Sequence, residues 1–264
     1  MDFKVVEDFT KEKSNLRQSH SKVENGKAIS YALMAWSNKF LPKYEVYKKL
    51  ISYLLSKREK LKILNIGFGG GNLEYLLLKE FGKKIAMVSI DNSKTFYKIA
   101  RSKNKAFIKT CNLKFYKKDI RSSDIDEREF DLILSRDVNH HLTDLGQGFD
   151  KISEYLASDG IMIMEDLRFD AEQKAIKKFT EDIFKIKELS KDTWLLYLKI
   201  IGLIESFACS YTKLEVITML EKYNLQYLFF ESPSRYHFIL WKNSSERSEK
   251  KKILNKFRKC LYGH

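Results

Sequence analysis

The chain has 264 residues, of which 44% are hydrophobic and 32% are charged. This composition is typical of a globular protein, and the length accommodates one domain with a sizeable core and a subdomain. The longest apolar run, from Trp194 to Ile204, is interrupted by Lys199 and is too short to span a bilayer. The first residues are charged and lack the apolar stretch of a secretory signal, so we expect a cytoplasmic protein.

The cysteines and the charge exclude several classes of protein. Cys111, Cys209 and Cys260 lie far apart without a CxxC pair, so we expect neither a disulfide framework nor a metal site. The formal net charge is +14, of which +6 lies from Lys242 onward. A basic surface can attract nucleic acid, but the remaining +8 over the other residues is too mild to indicate it alone.

The N-terminal part is predicted to be a helical cap, residues 1–57. Residues 1–20 show no clear periodicity, and residues 22–57 are typical of two helices separated at Pro42. The pattern then changes, because short apolar β-type runs begin to alternate with helical segments. Such alternation predicts βαβ units and a parallel sheet. The predicted strands lie in KILNIGF, IAMVSID, LKFYKKD, FDLILSRD and GIMIMED.

The second half adds an insertion and two further strands. Residues 170–222 are predicted to form a helical lid inserted into the α/β domain, which spans residues 58–242. The runs YLFFES and RYHFILWK are separated only by the turn at residues 232–234. A turn this short joins antiparallel neighbours, so one strand of the sheet should be antiparallel. Residues 243–264 form a basic tail, for which a solvated helix is the simplest expectation.

A glycine-rich loop follows the first predicted strand, in ILNIGFGGGN. Glycines at 67, 69, 70 and 71 let a ligand approach the backbone, and a helix start favours an anionic group. The spacing from Gly67 fits G-x-G-x-G, whereas Asn72 stands where a dinucleotide fingerprint requires a third glycine. No Gly-Lys-Ser/Thr follows, which excludes a P-loop. On this signal alone, the glycines are also compatible with a tight strand–helix turn that binds no ligand.

Two carboxylates follow the next two strands. Asp91 ends IAMVSID and could accept hydrogen bonds from both ribose hydroxyls of a nucleoside. Asp119 follows the third strand and could accept from the exocyclic amine of adenine. Each has a structural alternative, a helix cap for Asp91 and a turn for Asp119. Asn92 or Ser93 could do that capping, which would leave Asp91 for the ligand.

In these motifs the sequence resembles the class I S-adenosylmethionine (SAM) dependent methyltransferases, especially the branch of the ubiquinone/menaquinone-biosynthesis methyltransferases. LNIGFGGGN is similar to their motif I, SIDNS to the ribose-binding motif and KKDI to the adenine-binding motif. The resemblance implies a Rossmann-like doubly wound α/β sheet of order 3-2-1-4-5-7-6 with strand 7 antiparallel. It also implies SAM as methyl donor and S-adenosyl-L-homocysteine as product. The cofactor residues that it implies are Asn65, Gly67, Gly69, Gly71, Asp91, Asn92, Asp119, Ile120 and Arg136, with Asp137 or Val138 also facing the methyl donor.

One departure from the family concerns Asn65, which stands where motif I normally has an acidic residue. Asn keeps an acceptor but loses the charge that would favour the ammonium group of SAM. The sequence therefore leaves open a protein that binds the cofactor but has weak or no activity.

Candidate acceptor-site residues lie in the N-terminal cap and beyond the fourth and fifth strands. His140 and His141 are candidate general bases, with packing or turn capping as the alternative. By analogy with the family, Tyr31, Trp36 and Arg168 are candidates for the substrate pocket. The aromatic stripe at Trp194, Tyr197, Ile201 and Phe207 has helical spacing, which favours a core stripe over a dedicated substrate wall.

The resulting hypothesis is transfer of a methyl group to a small organic acceptor by in-line displacement. An RNA methyltransferase is the second reading, although SRDVNHH lacks the proline-containing motif of enzymes that methylate base amines. A non-catalytic SAM-binding subunit is the third, motivated by Asn65. An NAD-dependent oxidoreductase is disfavoured by the missing third glycine. The acceptor, the pathway and the oligomeric state are not encoded in these motifs.

Overall fold

The computed structural model describes residues 25–36, 44–110, 112–121, 124–143, 145–185, 193–223, 225–242 and 247–262. Its strands are β1 Leu61–Ile66, β2 Ile85–Asp91, β3 Leu113–Lys117, β4 Phe130–Arg136, β5 Leu156–Leu167, β6 Leu225–Glu231 and β7 Arg235–Lys242. Its α-helices are α1 Asn25–Trp36, α2 Glu45–Leu55, α3 Asn72–Phe81, α4 Lys94–Lys103, α5 Lys105–Thr110, α6 Leu145–Tyr155, α7 Gln173–Phe184, α8 Thr193–Cys209, α9 Lys213–Leu220 and α10 Arg247–Tyr262.

The seven strands form one sheet of order β3-β2-β1-β4-β5-β7-β6, which confirms the predicted topology. The five strands from β1 to β5 run parallel to one another, whereas β7 runs antiparallel to both β5 and β6. The register places Leu167 of β5 opposite Arg235 of β7. The short turn between β6 and β7 therefore reverses the chain at the edge of the sheet, as its length requires.

Alternation along β1 shows why both faces of the sheet are covered. Leu61 and Ile63 pack in one core with α2, α3 and α4, whereas Leu64 and Ile66 pack in a second core with α6 and α9. Side chains of a strand alternate between faces, so a strand that is apolar on both faces needs helices on both. This arrangement is the doubly wound sheet that the sequence predicted.

The predicted N-terminal cap and the lid meet above the carboxyl ends of the strands. Helix α1 packs against α8 of the insertion, where Met34, Leu203 and Phe207 form a small third core with Leu167. The expected aromatic stripe on α8 is only partly a core stripe. Phe207 is buried, but Trp194 and Tyr197 are 60% and 59% exposed. The helical period therefore located the helix but not the face that it buries.

We expected the C-terminal helix α10 to be solvated, but it packs against the domain. Ile253 and Phe257 are 2% and 1% exposed, and they belong to the same core as α2. Lys57 and Glu249 form an ion pair between α10 and the segment after α2. The apolar face of the basic tail thus packs against the domain. Of the helices that the structure describes, none combines the length and the apolarity that crossing a bilayer requires.

Candidate active site

A cavity of about 720 Å³ opens at the carboxyl ends of β1, β2 and β4. This is the edge at which open parallel sheets bind ligands. Several predicted cofactor residues line it together: Gly67, Gly69, Asp91, Asn92, Asp119, Ile120 and Arg136, with Val138 and His141 beside them. Sequence reasoning had not singled out the apolar walls Ile66, Ile90, Phe96 and Leu142.

The glycine loop is held against this cavity by Asp91. The backbone amide of Gly69 donates to Asp91 Oδ2 at 3.0 Å, and the amide of Ser93 donates to Oδ1 at 2.9 Å. Ser93, not Asp91, caps α4, because its hydroxyl accepts from the amide of Phe96 at 3.1 Å. The capping thus falls to Ser93, one of the two residues that the sequence offered for it, while Asp91 ties the loop to β2 and lines the cavity.

Asp119 is oriented by a bidentate ion pair with Arg121. Arg121 donates from Nε to Oδ1 at 3.0 Å and from Nη2 to Oδ2 at 2.6 Å, and its backbone amide also donates to Oδ1 at 2.9 Å. Burial raises the pKa of Asp119, but the hydrogen bonds and charge of Arg121 outweigh it and hold the pKa below its usual value. The carboxylate is thus ionised and fixed in orientation at the cavity wall.

Asn65 lies behind the loop, outside the cavity lining. Its amide nitrogen donates to Glu74 Oε1 at 2.6 Å, and the Ser89 hydroxyl donates to the same oxygen at 2.8 Å. Glu74 is fully buried, and burial raises its pKa above the usual value against these hydrogen bonds. An acidic residue at position 65 would put two buried carboxylates in contact. Asn65 therefore supplies a hydrogen-bond donor to the buried Glu74, and this contact explains why position 65 departs from motif I.

Gly71 and Arg168 also lie apart from the predicted ligand contacts. A Cβ on Gly71 would stand 2.8 Å from the Cβ of Ala100, so this glycine lets the loop pack closely on α4. Arg168 is paired with Asp170 at 2.8 Å and with Glu231 at 3.4 Å, and it lines neither cavity described here. Trp36 ends α1, and its side chain lies outside the described part of the structure.

A second cavity of about 580 Å³ adjoins the first beneath the lid. The two cavities share Tyr31, Asp137 and His141. Tyr31 stands over the glycine loop, because a Cβ on Gly69 would lie 3.5 Å from its ring. A molecule in the second cavity would therefore meet a ligand of the first at these three side chains. Its other walls come mainly from the cap and the lid: Lys27, Ser30, Met34, Phe179, Leu198, Lys199, Gly202, Leu203 and Ser206.

The two predicted bases occupy different positions. His140 is 2% exposed and lines only the second cavity, where its Nδ1 lies 2.6 Å from Asp166 Oδ1. The backbone amide of His140 also donates to Asp166 Oδ2 at 3.1 Å. Because a carboxylate accepts hydrogen bonds, this contact orients the ring with Nδ1 as the donor to Asp166. His141 lies beside it, with ring centroids 4.1 Å apart and ring planes tilted by 43°, and lines both cavities.

A cluster of buried charged side chains lies where the two cavities adjoin. Arg235 donates to Asp137 Oδ1 at 2.5 Å and lies 3.3 Å from Glu165 Oε1, which Arg136 also approaches to 3.3 Å. Burial raises the pKa of Asp137, but the charges of Arg235 and Arg136 hold it well below its usual range. Asp137 has a left-handed φ of 56°, a conformation that is costly for a non-glycine residue and concentrates at functional sites.

Arg235 and Lys199 are the residues of this region that sequence reasoning missed. Arg235 opens β7 immediately after the turn and lies opposite Leu167 of β5, so the contact of its side chain with Asp137 depends on the antiparallel pairing. For Lys199 a signal existed, because it is the lysine that interrupts the longest apolar run. In the described residues no group of three or more His, Cys, Asp or Glu side chains is arranged to hold a metal.

Comparison with known proteins supports both the fold and the chemistry. Residues 57–231 match a family model described as a methyltransferase domain. We found no curated protein whose sequence matches the chain. Among solved structures, the plantazolicin methyltransferase BpumL, in complex with a monoazolic desmethylPZN analog and SAH, is similar with a TM-score of 0.66 and 15% identity. That alignment covers 90% of this chain and 99% of that one.

Two further solved structures match the chain less completely. A SAM-dependent methyltransferase from Aquifex aeolicus has a TM-score of 0.50 and 15% identity, over 72% of this chain and 88% of that one. The CMeT domain of the citrinin polyketide synthase has a TM-score of 0.51 and 19% identity, over 75% of this chain and 52% of that one. At these identities the similarities establish a shared fold.

Proposed function

The chain belongs to the methyltransferase domain family, and from that premise we propose that it transfers a methyl group from SAM to a small organic acceptor. The observation that carries the proposal is the pair of adjoining cavities. One is built by the strand ends around Gly67, Asp91 and Asp119, and the other is enclosed by the cap and the lid. Two ligands held in this way would meet beside Tyr31, Asp137 and His141.

The residues of the first cavity fit the parts of SAM. The glycine loop provides a backbone cradle with no side chain at Gly67 and Gly69, which suits close approach of a ligand. Asp91 would accept from the ribose hydroxyls, and the oriented carboxylate of Asp119 would accept from the adenine amine. Ile90 and Ile120 offer apolar contact for a flat ring. When bound, SAM supplies a methyl group already activated on its sulfonium.

The residues between the cavities would orient the acceptor and receive its proton. Tyr31 and the lid would cover the region where the two ligands meet, and their alignment there would contribute much of the rate. We assign His140 as the base for an acceptor that carries a proton, because Asp166 fixes its ring and tautomer. His141 would form the wall of the passage between the cavities.

Asn65 does not argue for a non-catalytic protein. The expectation of weak activity depended on its facing the ligand, whereas its amide is engaged by Glu74. The narrower resemblance to the ubiquinone/menaquinone branch stays a prediction. The solved relatives include a plantazolicin methyltransferase and a polyketide synthase domain, which are named for other natural products.

The test is titration of SAM, S-adenosyl-L-homocysteine and NAD against the melting temperature, followed by calorimetry. SAM and its product should raise the melting temperature and NAD should not, because only a ligand of the native state stabilises it. Asp91→Asn should weaken binding of the product by about ten- to a hundredfold, as expected for loss of a charge-assisted hydrogen bond. Asp126→Asn, at an exposed loop position, is the matched control. Stabilisation by NAD alone would refute the proposal.

A further inference from the structure

Lys199 places a buried ammonium group in the second cavity. The residue is 8% exposed, although it lies on a lid helix whose neighbours Trp194 and Tyr197 are largely exposed. Its Nζ lies 4.7 Å from the centroid of the Tyr31 ring, a cation–π contact. Among the residues that the structure describes, it makes no ion pair with a carboxylate. A buried ammonium that contacts an aromatic ring and makes no ion pair is unusual, because burial of a charge is costly unless it is paired.

The other charges around this cavity are already matched. Lys27 pairs with Glu205 at 2.7 Å, and Arg235 is shared between Asp137 and Glu165. The Asp166 carboxylate accepts from His140 and from the backbone amide of Leu167. Burial lowers the pKa of Lys199 to about 8, against the attraction of Asp137, so the amine is still mainly protonated at neutral pH. Among the described residues around this cavity, Lys199 is thus a cation without a direct anionic partner.

The walls around Lys199 indicate the rest of the ligand. Met34, Leu167, Phe179 and Leu203 provide an apolar surface on the cap, the lid and the end of β5. The passage to the first cavity lies at Tyr31 and His141. Because Lys199 lies beside Tyr31, a ligand whose charged end lies at Lys199 would have that end near the passage and its apolar body along these walls.

We propose that Lys199 binds an anionic oxygen group of the methyl acceptor, a carboxylate or a phosphate, and so selects acceptors with an apolar body and an anionic end. This inference rests on the proposed methyltransferase function and adds the class of acceptor to it. An anion at Lys199 would form a charge-assisted hydrogen bond and remove the cost of the unpaired ammonium. The lone lysine of the apolar run would then be a specificity-determining residue.

The test uses matched probes that differ only in the charged end. The whole chain is titrated by calorimetry, with and without S-adenosyl-L-homocysteine, against 4-phenylbutanoate, its neutral amide and 3-phenylpropyl phosphate. The wild type should bind at least one of the anions about tenfold or more tightly than the amide, the factor of one charge-assisted hydrogen bond. A preference for the carboxylate or for the phosphate distinguishes the two sources of the anion.

Variants of Lys199 separate this proposal from the proposed function. Lys199→Met should abolish the discrimination while leaving affinity for S-adenosyl-L-homocysteine unchanged, and Lys199→Arg should retain it. Lys251→Met removes an exposed lysine of α10 and is the control for net charge. Equal binding of the anions and the amide by the wild type, or discrimination that survives in Lys199→Met, would overturn the assignment. Failure to bind S-adenosyl-L-homocysteine would instead contradict the proposed function, since the probe titrations without it still decide the role of Lys199.

Discussion

Gly67 offers the most direct test of how the loop builds the cavity. Its φ is 76°, and a Cβ at this position would stand 2.2 Å from Cγ2 of Val138. Gly69 has a φ of 50°, but a Cβ there would meet only the Tyr31 ring at an ordinary 3.5 Å. The two glycines thus share the left-handed conformation and differ in the space around them, which makes them a matched pair.

The stability lost in each alanine variant follows from the left-handed backbone conformation and from the space around the new Cβ. A left-handed conformation costs a non-glycine residue about 1–2 kcal/mol, and this applies to both Gly67→Ala and Gly69→Ala. The clash adds about 1–3 kcal/mol for Gly67→Ala alone, because the β-branched Val138 has few alternative rotamers. We expect a loss of about 2–5 kcal/mol in the free energy of unfolding for Gly67→Ala and about 1–2 kcal/mol for Gly69→Ala, summing the same two terms.

A double-mutant cycle in urea measures the clash separately. Val138→Ala removes the atom that the new Cβ would strike, so Gly67→Ala should be less costly in that background by about 1–3 kcal/mol. Gly69→Ala combined with Val138→Ala should be additive. The reasoning is refuted if Gly67→Ala and Gly69→Ala destabilise equally, or if Val138→Ala fails to rescue the first.

Three further expectations concern buried groups. Asn65→Asp should lower the free energy of unfolding by about 1–3 kcal/mol without improving SAM affinity, because it replaces the donor to Glu74 by a like charge; urea titration and calorimetry check both. Burial lowers the pKa of His237 to about 4 despite the nearby carboxylate of Glu165. The unfolded chain, with a histidine pKa of about 6.5, then binds more protons, so stability should fall by about 3 kcal/mol as the pH drops from 6.5 to 4; His237→Gln should flatten this dependence in urea titrations at each pH. Phe257→Ala should cost about 3–5 kcal/mol because this α10 side chain is 1% exposed, whereas Phe184→Ala, at a 52% exposed position, should change the melting temperature little.

The sheet could be predicted from sequence because its signals are local. Apolar β-type runs alternate with helical segments, and the turn at residues 232–234 is too short for anything but an antiparallel connection. The positions of Gly67, Asp91 and Asp119 follow from the same pattern, since carboxyl ends of parallel strands share one edge. Backbone topology alone brings these three residues together.

The direction of side chains could not be predicted in the same way. Asn65 turns to Glu74, a partner nine residues later on the next helix, and Arg168 turns to Glu231 across the sheet edge. Neither contact leaves a trace in local periodicity. The apolar face of α10 was visible in the sequence, but its partner was α2, which is nearly two hundred residues away. These misses share one cause, because tertiary partners decide among orientations that the local pattern leaves equal.

The two cavities also differ in how they are built, and this difference explains which part of the function the sequence revealed. The first is lined mainly by strand ends and the loops that follow them, so its residues are placed by the sheet. The second is lined largely by α1 and α8, whose mutual packing alone places Lys199 beside Tyr31. Substitutions in α8 that leave Tyr31 of α1 in place should therefore change the acceptor preference without changing SAM affinity. Substitutions of Tyr31 itself, which lines both cavities, should change both the acceptor preference and the SAM affinity.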